Sequence, residues 1–333
     1  MNFLILFLLF IFYLFIFRNI AHKINLIDLP SSRKVHSIPT ASIGGSIIIF
    51  SFLTYELLFI NNFSLEFKTI LVSALILFLV GLIDDIFSIS FKVRLFIQCI
   101  VCTFVVLFSY KIYYLGYYDY IGPVYLYQYS VIFSIFCFLI LINSYNFFDG
   151  IDGLAALNFI LSIFFLNFYI YFVNSFYFFD IIFIDFGFLV LLFLFFNLGF
   201  LNKFKIFLGD SGSTLLGFML AIIMIKYSQN GILKISPSII PWIIALPVYD
   251  FLSVIIIRLK SKKNPFLPDN MHLHHLLLLK YHNAYFVLFL LSSISLFLFI
   301  LGFLIDTFLS SILSIFSFII GYFLYDHIKN KFI

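Results

Sequence analysis

The sequence predicts an all-α polytopic integral membrane protein of about 11 transmembrane helices, with the N-terminus outside, the C-terminus cytoplasmic and the polar motifs on cytoplasmic loops. Three observations lead there. Of 333 residues, 64% are hydrophobic and 10% charged, whereas soluble domains average roughly 45–50% apolar and 25% charged. Apolar runs of about 17–25 residues, long enough to cross a bilayer, recur along the whole chain. The basic residues also segregate between alternate connections, as the positive-inside rule requires. No stretch is long and polar enough to make a separate soluble domain, so residues 1–333 are read as one domain.

The eleven candidate spans are taken in chain order. Span 3–17 lacks a basic leading segment and a small-residue cleavage site, and its first positive charge, Arg18, follows it; it reads as a retained span rather than a signal peptide. Spans 43–60 and 69–83 come next, the latter ended by Asp84 and Asp85. Span 93–109 follows Lys92 and contains two of the three cysteines, Cys99 and Cys102; without a second ligand pair, this C-x-x-C reads as two helix-buried thiols rather than a zinc or redox site. Residues 110–129 form the longest outer connection, and their Tyr-rich flanks around Ile121-Gly122-Pro123 suit a small β-hairpin. Span 130–145 runs into "NSYNFFDGIDGL", span 154–173 leaves it, and span 181–201 leads to "KIFLGDSGS". Span 213–227 follows, then span 237–257, with Asp250 near its inner end, and the chain closes with spans 284–304 and 308–325.

Charge checks the parity of this order. With the N-terminus outside, the inner segments hold Arg18, Lys23, Arg33, Lys34, Lys92, Arg94, Lys203, Lys205, Arg258, Lys260, Lys262, Lys263, Lys280, Lys329 and Lys331, which is 15 of the 19 basic residues. Only Lys68, Lys111, Lys226 and Lys234 remain outside, and one span more or fewer scrambles the split. All seven histidines fall inside too. The 52 Phe and 21 Tyr carry less information: Phe, Ile, Asn, Lys and Tyr are abundant together, as a bias in nucleotide composition produces.

The same parity puts Asp84, Asp85, Asp149, Asp152 and Asp210 at one cytoplasmic level, on three loop–helix junctions. A carboxylate at the centre of a span costs roughly 2.5–3.5 kcal/mol on insertion scales, and less near the interface. One such Asp reads as a helix end where water begins. Five of them, in Gly- and Asn-rich segments beside many bases, suit a divalent cation bridging to a phosphate. Glu56 and Asp185 lie inside spans towards the outer ends and receive no role.

Five segments in order, "DLPSSRKVHSIPTASIGG" (28–45), "GLIDDIFSISFKVR" (81–94), "NSYNFFDGIDGL" (143–154), "KIFLGDSGS" (205–213) and "NPFLPDNMHLHH" (264–275), make the chain resemble the polyprenyl-phosphate N-acetylhexosamine-1-phosphate transferase family (glycosyltransferase family 4). The resemblance implies that Asp84 and Asp85 belong to the reaction centre. It makes Asp210 and Asn146 ligands of Mg2+, with Mn2+ as an alternative. It makes Asp152 a nucleotide-recognising residue, with Asp149 in the same acidic motif. His272, His274 and His275 become hydrogen-bond partners of the diphosphate and sugar. From their charge and position just downstream of Asp84 and Asp85, Lys92 and Arg94 are both expected to offset this acidity or grip phosphate, and Arg94 reads equally as a topology anchor. Asp250 is read as structural or as supporting the site. The pattern departs at Asn270, where many members carry Arg, and at Ala41-Ser42, where Pro-Arg often precedes the Gly pair. Gly209-Asp210-Ser211-Gly212 matches the serine-protease tetrapeptide, but a greasy helix supplies no fold for a triad.

The implied reaction is a phosphotransferase step. A polyprenyl phosphate, expected to be undecaprenyl phosphate, takes the sugar-1-phosphate of a UDP-N-acetylhexosamine, giving polyprenyl-diphospho-sugar and UMP. "DLPSSRKVH" and "HLHH" favour the WecA-like branch, which initiates O-antigen, common-antigen or teichoic-acid-like glycans. The alternatives are an MraY-like phospho-MurNAc-pentapeptide transferase and, in a different class, a polytopic lipid or sugar transporter. The expected location is the inner (cytoplasmic) membrane. The expected partners are the polyprenyl phosphate, the UDP-sugar and membrane lipids, with no nucleic acid, and a homodimer is compatible with this reading.

Overall fold

The computed structural model describes residues 2–332 apart from 25, 29–38, 61, 120, 177–178, 232, 234, 263 and 265–270. Most of the first quoted segment and residues 265–270 of the last, with Arg33, Lys34, Lys263 and Asn270, therefore lie outside the described residues. The described chain is all-α apart from two small sheets.

Apolar sequence becomes helix wherever a span is expected. The helices are α1 (Phe3–Ala21), α2 (Gly44–Phe59), α3 (Leu65–Phe87), α4 (Phe91–Phe108), α5 (Ser130–Phe148), α6 (Leu154–Asn174), α7 (Ile181–Asn197) and α8 (Gly209–Ser228). After these come the single turn α9 (Ile240–Ile243), α10 (Ala245–Lys260), α11 (Leu273–Tyr281), α12 (Ala284–Phe308) and α13 (Ser311–Asn330). Among the described residues, eight helices are long and apolar enough to cross a membrane, and a ninth crossing results if residues 237–260, bent by 72° at Ile244, act as one span. α2 and α7 are apolar but shorter, at 16 and 17 residues. This is a multi-pass membrane protein. All three cysteines are free, Cys102 buried and Cys99 half-buried on α4.

Several elements differ from the sequence reading. α8 starts at Gly209, four residues before the expected span, so Asp210 belongs to the first turn of a helix instead of a loop. α11 was not expected; it occupies part of the loop between the ninth and tenth spans. β1 (Ile27–Asp28), β2 (Thr40–Ser42) and β5 (Ile206–Phe207) form a small sheet in the order β1-β2-β5, antiparallel then parallel. The hairpin expected within 110–129 is present as β3 (Tyr114–Tyr118) and β4 (Gly122–Tyr125), antiparallel.

The core centres on α8. Seventeen of its 20 residues are buried, and it packs against α5, α3 and α2. Its N-terminal end meets the ends of α3 and α5 and the β5 strand, so residues far apart in sequence converge there.

Candidate active site

Four of the five quoted segments contribute acids to one cavity of about 590 Å³ at this end of the bundle. Its wall includes Asp84 and Asp85 from α3, Asp149 and Asp152 from the α5–α6 loop, Asp210 from α8 and Asp28 of β1. His275 of α11 also lines it.

α3 ends at the cavity because its polar last turn, Asp84 to Ser88, follows a run of apolar residues, and Ser88 turns left-handed with φ 52°. Asp84 is buried and pairs with Arg94 Nη1. The same guanidinium nitrogen lies 3.4 Å from Asp210 Oδ2. Arg94 thus reaches Asp84 and Asp210, while Lys92, two positions earlier on α4, is exposed; neither base lines the cavity. Asp85 uses both oxygens on the start of α8: Oδ1 accepts from the backbone N–H of Asp210 at 2.7 Å and Oδ2 from that of Ser211 at 3.1 Å. The first N–H groups of a helix have no partner within it, and here an acid from another helix supplies one. Gly209 makes this approach feasible: it has φ +76°, and a Cβ there would lie 2.8 Å from Asp85 Oδ2.

Asn146 projects from the last turn of α5, with Nδ2 2.9 Å from Asp210 Oδ1 and 3.0 Å from Ser213 Oγ. Asp210 keeps 42% side-chain exposure, against 7% for Asp84, so its carboxylate is the one open to a ligand. Which amide atom of Asn146 faces the carboxylate is assigned from the hydrogen-bond network; turned over, its oxygen stands beside Asp210. These all-oxygen donors suit a hard divalent cation. Among the described residues, no three His, Cys, Asp or Glu side chains form a ready-made cage; Mg2+ in general keeps several waters and takes one or two carboxylates together with substrate phosphates.

The α5–α6 loop holds the other acids. Asp149 ends α5, half-buried, and its carboxyl is raised well above the usual carboxylate range, first by burial and then by the charges of Asp210, Asp152 and Asp85. Asp152 pairs with Lys205 Nζ at 2.5 Å. Asn197, at the end of α7, ties this loop to β5 by accepting from Gly153 N at 2.5 Å and donating to Ile206 O at 2.8 Å. Sequence reasoning missed Asn197 and counted Lys205 only as a topology charge. The available signal was a buried polar residue closing an apolar span.

The histidines arrive on the first turn of α11. His272 Nδ1 lies 2.6 Å from Asp250 Oδ2. His274 is buried with neither ring nitrogen hydrogen-bonded among the described residues, and burial, followed by the charge of His275, holds its pKa well below the usual histidine value. Its ring packs so closely on the α5–α6 loop that a Cβ at Gly150 would come 1.9 Å from Nε2. Of the three histidines only His275 lines the cavity, and Asn146 reaches it through its contact with Asp210.

A sequence model of glycosyl transferase family 4 matches residues 67–228, which carry all of these acids except Asp28 and Asp250. The chain is 31% identical over 271 residues to the undecaprenyl-phosphate alpha-N-acetylglucosaminyl 1-phosphate transferase of Yersinia pestis, covering 80% of this chain and 73% of that protein. It is 31% identical over 271 residues to the protein of the same name from Escherichia coli (strain K12), covering 80% and 72%. Against that of Pasteurella multocida (strain Pm70) the identity is 32% over 266 residues, covering 78% and 73%.

Proposed function

The chain belongs to glycosyl transferase family 4, and from that premise we propose that it transfers N-acetylglucosamine 1-phosphate from UDP-N-acetylglucosamine to undecaprenyl phosphate. The names of its relatives support the lipid and the sugar, and they favour this donor over a muramoyl-pentapeptide one. The observation that carries the proposal is the single cavity ringed by Asp84, Asp85, Asp149, Asp152 and Asp210.

In the reaction, a phosphate oxygen of the lipid forms a bond to the β-phosphorus of the UDP-sugar, the bond from that phosphorus to the bridging oxygen breaks, and UMP leaves. One diphosphate is exchanged for another, so the site must align its substrates and balance their charge. A lipid phosphate is already largely dianionic at pH 7, since its second pKa is near 6, so Asp84 and Asp85 serve mainly to organise charge. Asp210 and Asn146 would hold Mg2+, which would supply charge neutralisation of the diphosphate. Arg94 balances Asp84 and lies beside Asp210, offsetting the charge of both acids. Asp152, held by Lys205, faces the nucleotide, and His275 the sugar diphosphate.

The proposed topology has eleven crossings with the N-terminus outside: the eight long helices, the bent segment 237–260, and the shorter α2 and α7. It places the cavity on the cytoplasmic face of the inner membrane, where 15 of the 19 basic residues gather and where a nucleotide sugar meets a lipid phosphate. A transporter needs acids lining a path through the membrane depth. Glu56 and Asp185 are buried in α2 and α7, away from the cavity wall.

The test is to incubate purified protein with undecaprenyl phosphate, labelled UDP-N-acetylglucosamine and Mg2+. UMP release that needs both lipid and metal and is lost in Asp210→Ala is expected. A panel of UDP-sugars that all fail, in a preparation whose vesicles pass solute, overturns the proposal in favour of transport.

A further inference from the structure

α13 is the most exposed of the long helices. Of its 20 residues only Ser314 and Lys329 are buried. A lysine turned inward from such a helix needs a partner, and Lys329 Nζ lies 2.7 Å from Asp250 Oδ1, with 0% and 2% side-chain exposure respectively. The same carboxylate serves three more donors. Tyr325 OH, one turn before Lys329, donates to Oδ1 at 2.9 Å. The backbone N–H of Leu273 donates to Oδ1 at 2.9 Å, and His272 Nδ1 faces Oδ2 at 2.6 Å.

Two of these four donors come from the last turns of α13 and two from the start of α11. Leu273 is the first residue of α11, so Asp250 caps that helix as well as holding the ring before it. A proton on Nδ1 of His272, directed at Asp250, leaves Nε2 as the ring's working atom. His275, within the same first turn of α11, lines the cavity. The whole arrangement lies beyond residue 228, where the family match ends.

We propose that Lys329 and Asp250 are positioning residues of the donor pocket: the last turn of the final helix fixes, through Asp250, the ring of His272 and the seat of α11, and so the placement of His275 on the cavity wall. This rests on the transferase reading above for its consequence, though not for its structural part.

Two arms test it on the full-length protein. The first needs no substrate: hydrogen exchange of segment 271–281 is compared between wild type and Lys329→Met. Loss of hydrogen bonds to a charged group is expected to speed exchange there about tenfold, with segment 209–217 of α8 unchanged. Equal rates at 271–281 overturn the proposal. Should the Met variant not fold, Asp250→Asn combined with Lys329→Met, which leaves no unpaired buried charge, is read in the same way.

The second arm is kinetic. In Lys329→Met, KM for the UDP-sugar is expected to rise about tenfold, with KM for the polyprenyl phosphate unchanged and Lys329→Arg restoring most of the loss. In a His272→Ala background, Lys329→Met should add less than about twofold, because residues acting through one another are not additive. Equal rises in both KM values, or full additivity, overturn it. A wild type that releases no UMP counts against the transferase reading alone, and the exchange arm still decides the clamp.

Discussion

Asp85 accepts the backbone N–H of Asp210 at 2.7 Å, across 125 positions of sequence. An acid assigned to the reaction centre thus also caps the central helix, and the two roles can be separated by substitution. Asp85→Ala is expected to lower stability by about 1–2 kcal/mol, the usual worth of a helix cap. Asp85→Asn, which keeps one acceptor oxygen, should lose less stability while still losing most turnover. Thermal unfolding in detergent, set beside UMP release, measures both; an Asp85→Ala protein that unfolds at the wild-type temperature argues against the cap.

Arg94 offers a second separation. Its removal leaves Asp84 buried without a cation, and breaking such a pair costs about 3–5 kcal/mol. Arg94→Ala should therefore be far less stable than Lys92→Ala, whose side chain is exposed. Chemical denaturation of the two variants gives the comparison directly.

Asp149 makes stability depend on pH. Its carboxyl holds a proton more tightly folded than unfolded, so the folded state takes up a proton in the window above the ordinary value of 3.8. Stability must then fall as pH rises through that window. With divalent cations chelated, Asp149→Asn is expected to unfold at a higher temperature than wild type near pH 7.5, and the gap should close towards pH 4. A gap that widens on acidification contradicts the assignment.

Metal should stabilise through Asp210. At a hundred times its Kd, a ligand bound only to the folded state adds about 2.7 kcal/mol. Mg2+ is expected to raise the unfolding temperature of wild type and to leave Asp210→Ala unmoved, with no substrate present.

Gly150 tests the seam between the acidic loop and α11. A methyl group there meets His274 Nε2 at 1.9 Å, whereas at Gly231 nothing lies within 4 Å. Gly150→Ala is expected to cost about 1–3 kcal/mol, as overpacking does, and to weaken UDP-sugar binding, with Gly231→Ala as the silent control. Calorimetric titration with the nucleotide sugar reads the second effect.

Much of this was legible in the sequence, for identifiable reasons. Apolar runs and the residues that interrupt them locate each long helix, and five of the acids at or beside helix ends, Asp84, Asp85, Asp149, Asp152 and Asp210, line the cavity. The start of α8 was not legible. "GDSGS" reads as loop because the carboxylate that makes it helical, Asp85, comes from another helix. Nor was the choice between Lys92 and Arg94. Two residues apart on a helix point to different faces, and only packing decides which face meets Asp84. The three short strands and α11 are too brief for periodicity to register.

The bundle also shows where the phenylalanine excess was tolerated. α1 holds six Phe among 19 residues, four of them exposed, whereas α8 holds only one among 20. Many of the chain's Phe side chains sit at exposed positions, where a lipid tail accepts any hydrocarbon of roughly suitable bulk. The central helix, hemmed in by neighbours and ending at the acids, has no such latitude. Genomic drift towards A- and T-rich codons can therefore repaint the perimeter of this protein almost at will, while its axis stays closed to change.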